Sequence, residues 1–190
     1  MNEIKKVYLV LKCIPIFIVF FIIFIILIVV DSSNGNSSGF PINGFNVPFK
    51  DDVVYSISSP FGDRKDPINK SSDFHDGIDL VVPLGTEIVA SASGVVIKTG
   101  YHESLGNYVF LEHNLDGVIY YTSYAHMQDN SIIVEEGQIV YEKDKLGIVG
   151  DTGRTTGIHL HFSLMSPQLK FDKDNLKDPT FIFEKEELFE

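Results

Sequence analysis

The sequence predicts a mostly β domain, a compact antiparallel sheet of sandwich or half-barrel-like form, preceded by one N-terminal transmembrane helix. Three observations carry this. Between residues 86 and 164 the chain breaks into short runs rich in β-branched and aromatic residues, separated by turn signals. No stretch after residue 30 keeps a 3.6-residue apolar period. Residues 13–30 form an 18-residue apolar run, Pro15 included.

That run comes first in the chain. As a helix it spans about 27 Å, close to the roughly 30 Å of a bilayer core. A cleaved signal peptide is the competing reading. Its apolar region is shorter, and it ends at a small-x-small site. Ile28-Val29-Val30-Asp31 has no such pattern, so residues 1–30 are read as a cytoplasmic N-terminus and signal anchor. Lys5, Lys6 and Lys12 precede the span and the next basic residue is Lys50. The positive-inside rule then puts the N-terminus in the cytoplasm and the remainder outside, on a single-pass protein of the cytoplasmic membrane.

Residues 31–46 are small, polar and glycine-rich, the composition of a flexible linker. The folded domain is expected over 47–183, with an acidic tail at 184–190. The whole chain of 190 residues has a net charge of -11, and the part after residue 30 carries 12 basic against 25 acidic residues. A nucleic-acid binder needs a basic face, so that class is excluded. Cys13 is the only cysteine, which rules out an intrachain disulfide and a cysteine-cluster zinc site.

Within the domain, strands are expected at 86–90, 94–98, 108–113, 118–126, 138–140, 146–149 and 158–164. In the last of these His159 and His161 alternate with Ile158, Leu160 and Phe162. Both imidazoles therefore share one face while the apolar residues turn to the core. His75-Asp76-Gly77-Ile78-Asp79 reads as a turn into a strand, because Gly77 and the apolar run beyond it oppose a helix. Imidazole and carboxylate are good zinc ligands, and without cysteines His/Asp coordination is the plausible zinc chemistry. His126 closes a strand-like run. His102 and His113 flank turns and are read as structural or solvated.

Taken in order, the motifs are Ser59-Pro60-Phe61-Gly62-Asp63-Arg64, Phe74-His75-Asp76-Gly77-Ile78-Asp79-Leu80, Gly94-Val95-Val96, Gly106-Asn107-Tyr108-Val109, Tyr124-Ala125-His126-Met127 and 150–162 with its His159-Leu160-His161-Phe162. This series resembles the LytM/lysostaphin family of zinc metallopeptidases, the peptidoglycan endopeptidases, over about residues 55–166. The resemblance implies a compact antiparallel β domain with a groove over one zinc ion. It implies His75, Asp79 and His161 as metal ligands, and His126 and His159 as the pair acting on the attacking water and the developing oxyanion. Which of the two is the general base is open at this point. Two positions depart from the family pattern: Ile158 stands where proline is common, and Ser163 where an acidic residue is common. The loop 66–73 suits a groove rim, and Arg64 and Lys65 read as rim charges or ordinary surface.

The implied function is metal-assisted hydrolysis of peptide stems or cross-bridges in bacterial peptidoglycan, outside the cytoplasmic membrane. The alternative is a zinc-binding but non-hydrolytic scaffold or activator in a cell-envelope complex, such as a sporulation channel, with an envelope protein as partner. Intact ligand positions favour the enzyme.

Overall fold

The computed structural model describes residues 44–183. The chain divides into Met1–Phe40 and Pro41–Glu190, and everything described lies in the second unit. The expected membrane helix, most of the linker and the acidic tail at 184–190 lie outside the described residues. Among the described residues no helix is long and apolar enough to cross a membrane.

Twelve strands and one short helix are present among the described residues: β1 (Ser56–Ser59), β2 (Gly62–Lys65), β3 (Ser72–His75), β4 (Ile78–Val81), β5 (Glu87–Val89), β6 (Gly94–His102), β7 (Gly106–Leu115), β8 (Val118–Met127), β9 (Ile139–Val140), β10 (Lys145–Ile148), β11 (Leu160–Met165), β12 (Leu176–Lys177) and α1 (Thr180–Phe183). The main sheet runs β1-β4-β11-β8-β7-β6-β9, with β12 added to β11. Pairs β5–β10 and β2–β3 stand apart as two-stranded sheets, and all the pairings are antiparallel.

Alternation along the strands decides which side is core. Leu160, Phe162 and Leu164 of β11 are fully buried with Ile78 and Leu80 of β4 and Val109 and Leu111 of β7. Each such side chain contributes about 1.5–3 kcal/mol of transfer free energy. A smaller cluster of Tyr108, Phe110 and Ala125 is formed by other residues of β7 and β8. His113 is buried as a structural residue. Its Nδ1 faces the Ser93 carbonyl at 3.0 Å and its Nε2 the Thr122 hydroxyl at 2.8 Å.

Core packing includes a residue before 47. Phe45 is only 3% exposed within the main core, and the Asn46 backbone N–H donates to the Ser91 carbonyl at 2.7 Å. An aromatic side chain amid glycine and asparagine found a pocket that local composition does not reveal.

Candidate metal centre and active-site groove

Three neighbouring strands bring the site together. In the sheet β4 pairs with β11, and the register sets His161 opposite Asp79. On its other side β11 pairs with β8, setting His161 opposite Ala125, next to His126. β3 ends at His75, and a tight turn leads into β4. Gly77 makes that turn fit: a Cβ there would lie 2.4 Å from the Phe162 carbonyl oxygen and 2.7 Å from Ser163 Oγ. Only a residue without a side chain lets β11 approach so closely.

His75, Asp79 and His161 converge, with one ligand atom of each within 4.8 Å of the others. His75 Nε2 is 3.1 Å from Asp79 Oδ1 and 3.1 Å from His161 Nδ1, and His161 Nδ1 is 3.0 Å from Asp79 Oδ1. The outward atoms of all three are committed elsewhere. The His75 Nδ1–H donates to the Pro60 carbonyl at 2.8 Å. The His161 Nε2–H donates to Asp76 Oδ1 at 3.1 Å, with Ser163 Oγ 3.0 Å away. Asp79 Oδ2 accepts from Arg64 at 3.3 Å.

Carbonyls and carboxylates can only accept, so these partners place the ring hydrogens on the outer nitrogens. The inner atoms, two imidazole nitrogens and one carboxylate oxygen, are then all lone-pair donors facing one another. Only a cation is stable among them. It is either a proton shared with His161 or a metal ion. Burial disfavours charge on His161, but the carboxylates of Asp76 and Asp79 outweigh it and hold its pKa up at about 9. Asp79 behaves in the opposite sense. Burial opposes its ionisation, and the surrounding imidazoles of His159, His161 and His75 push it far below the carboxylate range. Two neutral imidazoles and a carboxylate oxygen suit zinc and leave one position of a tetrahedral site open.

His126 and His159 stand beside the ligands, their ring centroids 4.8 Å apart, and His126 is 5.9 Å from the His161 ring. The His126 Nδ1–H donates to the Thr152 carbonyl at 2.8 Å, and the His159 Nδ1–H donates to the Gly157 carbonyl at 2.9 Å. Each ring therefore keeps its Nε2 lone pair free when neutral. Burial, then the neighbouring His161 and His159, lowers the His126 pKa to about 4. His126 also has a left-handed backbone, φ 60°, while its N–H donates to the Leu105 carbonyl at 2.7 Å. Such a conformation costs energy in a non-glycine residue and is found where surrounding structure enforces it. Gly106 helps, because a Cβ there would sit 2.3 Å from the Thr152 carbonyl that orients His126.

All five residues singled out by sequence therefore meet at one centre. His126, His159, His161 and Asp79 line a cavity of about 190 Å³ together with Asp76 and Arg154. The loop 66–73 supplies Pro67, Ile68 and Asp73 to its wall. Asp66 fastens that loop, accepting from Ile68 N at 2.8 Å and Asn69 N at 2.9 Å and pairing with Arg154 at 2.6 Å. Sequence reasoning missed the outer partners. Arg64 lines the cavity and also clamps Asp79, and Asp76 is the carboxylate behind His161. The one signal for Asp76 was its place between the two residues of the His75/Asp79 pair.

Comparison with known proteins agrees with this geometry. The family model described as peptidase family M23 matches residues 73–174. Peptidoglycan DD-endopeptidase ShyA of Vibrio cholerae is 40% identical over 115 residues, covering 60% of this chain and 26% of that protein. The crystal structure of a zinc-containing peptidase from Vibrio cholerae superposes with TM-score 0.56 at 36% identity, covering 64% of this chain and 36% of the other. The catalytic domain of lysostaphin from Staphylococcus simulans gives TM-score 0.60 at 28% identity, covering 68% of this chain and 92% of that one. The chain spans about a quarter to a third of the length of the curated relatives it matches.

Proposed function

Because the chain belongs to peptidase family M23, we propose that it is a zinc endopeptidase hydrolysing peptide stems or cross-bridges of bacterial peptidoglycan. In this proposal residues 1–30 anchor it in the cytoplasmic membrane and the catalytic domain faces outward. The observation that carries the catalytic reading is the convergence of His75, Asp79 and His161 with His126 and His159 alongside. The peptidoglycan substrate rests on the similarity to a DD-endopeptidase. The anchor rests on the apolar run 13–30 and the lysines before it.

His75, Asp79 and His161 would hold the zinc ion, which when bound would supply a Lewis acid able to polarise a scissile carbonyl and lower the pKa of a water toward about 7. The remaining chemistry belongs to the chain. His126 and His159 both line the cavity with Nδ1 turned to a backbone carbonyl, so Nε2 of a neutral ring accepts the proton of the attacking water. The same ring, once protonated, donates toward the developing oxyanion or the leaving amine. Asp76, Arg64 and the Pro60 carbonyl hold the three ligands in orientation, so little reorganisation is left for the reaction itself.

The test is incubation of the full-length protein with purified peptidoglycan, with and without a chelator, alongside His75→Ala. New amine termini found by mass spectrometry, absent with chelator and with the variant, are the expected result and identify the bond. Zinc-loaded protein that produces no new termini on several wall types overturns the enzyme in favour of a scaffold.

A further inference from the structure

β6 begins as a core strand and then changes face. Val96 is fully buried in the main core, opposite Leu111. Two residues later plain alternation would send Lys98 the same way. Instead the register slips between Val96 and Lys98, and Lys98 lies opposite Phe110, a residue of the second cluster. A bulge of this kind re-aims a side chain. Here it takes Lys98 out of the core side and sets it on the wall of a second cavity.

That cavity has a volume of about 330 Å³. Its apolar surface comes from Leu105, Tyr108, Phe110 and Phe171, with Lys98 beside them. The rings of Phe110 and Phe171 lie 5.8 Å apart, and those of Tyr108 and Phe110 4.7 Å apart. Asp76, Ser104 and Leu105 line both this cavity and the metal-centre cavity, so the two adjoin along one groove. Asp76 is already engaged with His161. Lys98 is not engaged. Lys50, Arg64, Lys143, Lys145, Arg154, Lys170 and Lys173 each pair with a carboxylate, whereas Lys98, like Lys65, Lys70 and Lys177, has no such partner among the described residues. Of these four lysines Lys98 is the one that lines this aromatic-walled cavity.

We infer that this cavity is a substrate subsite for a residue with a free carboxylate on an aliphatic stem, the stem packing on Phe110 and Phe171 and the carboxylate pairing with Lys98. The inference rests on the peptidase reading above and names the part of the substrate that the groove selects. A stem peptide whose side-chain carboxylate is free satisfies both halves of the pocket. Its carboxamide counterpart fills the apolar half and leaves the ammonium without a counter-ion. A charge-assisted hydrogen bond is about twice as strong as a neutral one, so the two substrates separate by about tenfold.

The experiment uses the full-length protein and two synthetic stem peptides that differ only in carboxylate against carboxamide. The kcat/KM of each is measured for wild type, Lys98→Met, Lys98→Arg and Phe171→Ala. Binding of the same peptides to the His159→Ala protein, with and without Lys98→Met, is measured by calorimetry. Expected is an approximately tenfold preference for the carboxylate peptide in wild type, abolished by Lys98→Met through loss on that peptide alone and kept by Lys98→Arg. Phe171→Ala raises KM for both peptides. Hydrolysis without discrimination, or equal loss on both peptides in Lys98→Met, overturns the subsite and leaves the peptidase standing. A Lys98-dependent binding preference in a protein that hydrolyses neither peptide keeps the subsite and overturns the peptidase. Neither binding nor hydrolysis overturns both.

Discussion

Asp76 and His161 stand 85 positions apart in the chain, yet Asp76 Oδ1 accepts the His161 Nε2–H at 3.1 Å. The contact decides which nitrogen of His161 faces the centre. With hydrogen fixed on Nε2, Nδ1 turns its lone pair toward Asp79 and His75. Ser163 Oγ, 3.0 Å from the same nitrogen, can donate as well as accept and so does not by itself fix the tautomer.

Asp76→Ala is therefore expected to weaken zinc binding by about 10–100-fold, the usual effect of losing an outer partner of a metal histidine. Asp76→Asn keeps an acceptor oxygen without its charge and should fall between. Competition against a chromophoric chelator measures both, and unchanged affinity in Asp76→Ala would show that Ser163 suffices.

The two histidines of the 159–161 pair should separate by metal content. His161 supplies one of the three converging atoms, whereas His159 Nε2 stands 3.4 Å from Asp79 Oδ1 beside the cluster. His161→Ala is expected to lose zinc. His159→Ala is expected to retain zinc and lose turnover by about 10²–10⁴-fold, the range for a general acid–base group. Elemental analysis of the purified variants with a peptidoglycan assay checks both halves, and loss of zinc from His159→Ala would contradict the division.

The parts of the site legible in the sequence are those encoded locally. His159 and His161 declare a shared face through strand alternation, and Gly77 with Ile78 and Leu80 argues for a turn into a strand around His75 and Asp79. The outer partners were not legible, because Arg64 reaches Asp79 and Pro60 reaches His75 across 15 positions with no period to mark them. The seven expected strands are present with ends shifted by a few residues, and His159 falls just outside β11. β1 and β2, with sequences SISS and GDRK, went unseen because neither shows an apolar alternation. Their pairing is imposed by β4 and β3. Phe45 illustrates the converse, an apolar residue whose burial depends on contacts supplied by distant strands.

Gly77 connects fold and chemistry. A methyl group at this position would meet backbone of β11 as well as Ser163 Oγ, with the Phe162 carbonyl oxygen nearest at 2.4 Å. Gly77→Ala must therefore push β11 away from the turn that carries His75. Overpacking of this kind costs about 1–3 kcal/mol. A lowered thermal midpoint together with weakened zinc affinity is expected. A variant with wild-type melting and affinity would mean that the turn relaxes freely.

The rim loop should be sensitive to acid through Asp66. Hydrogen bonding from Asn69 N, then the Arg154 guanidinium, lowers its pKa from an ordinary 3.8 to about 2. Because the folded-state value is the depressed one, the unfolded chain takes up its proton first as pH falls. The stabilisation is present above about pH 4 and is lost as pH falls through about 2. Asp66→Asn keeps an oxygen for Ile68 N and Asn69 N but removes the charge facing Arg154. The difference in denaturation midpoint between wild type and Asp66→Asn should therefore be steady from pH 7 to about 4 and close toward pH 2. The other carboxylates titrate in both proteins and cancel in the comparison. A gap that stays constant down to pH 2 would mean that the Asp66 charge contributes nothing to holding the loop, and that its two backbone hydrogen bonds suffice.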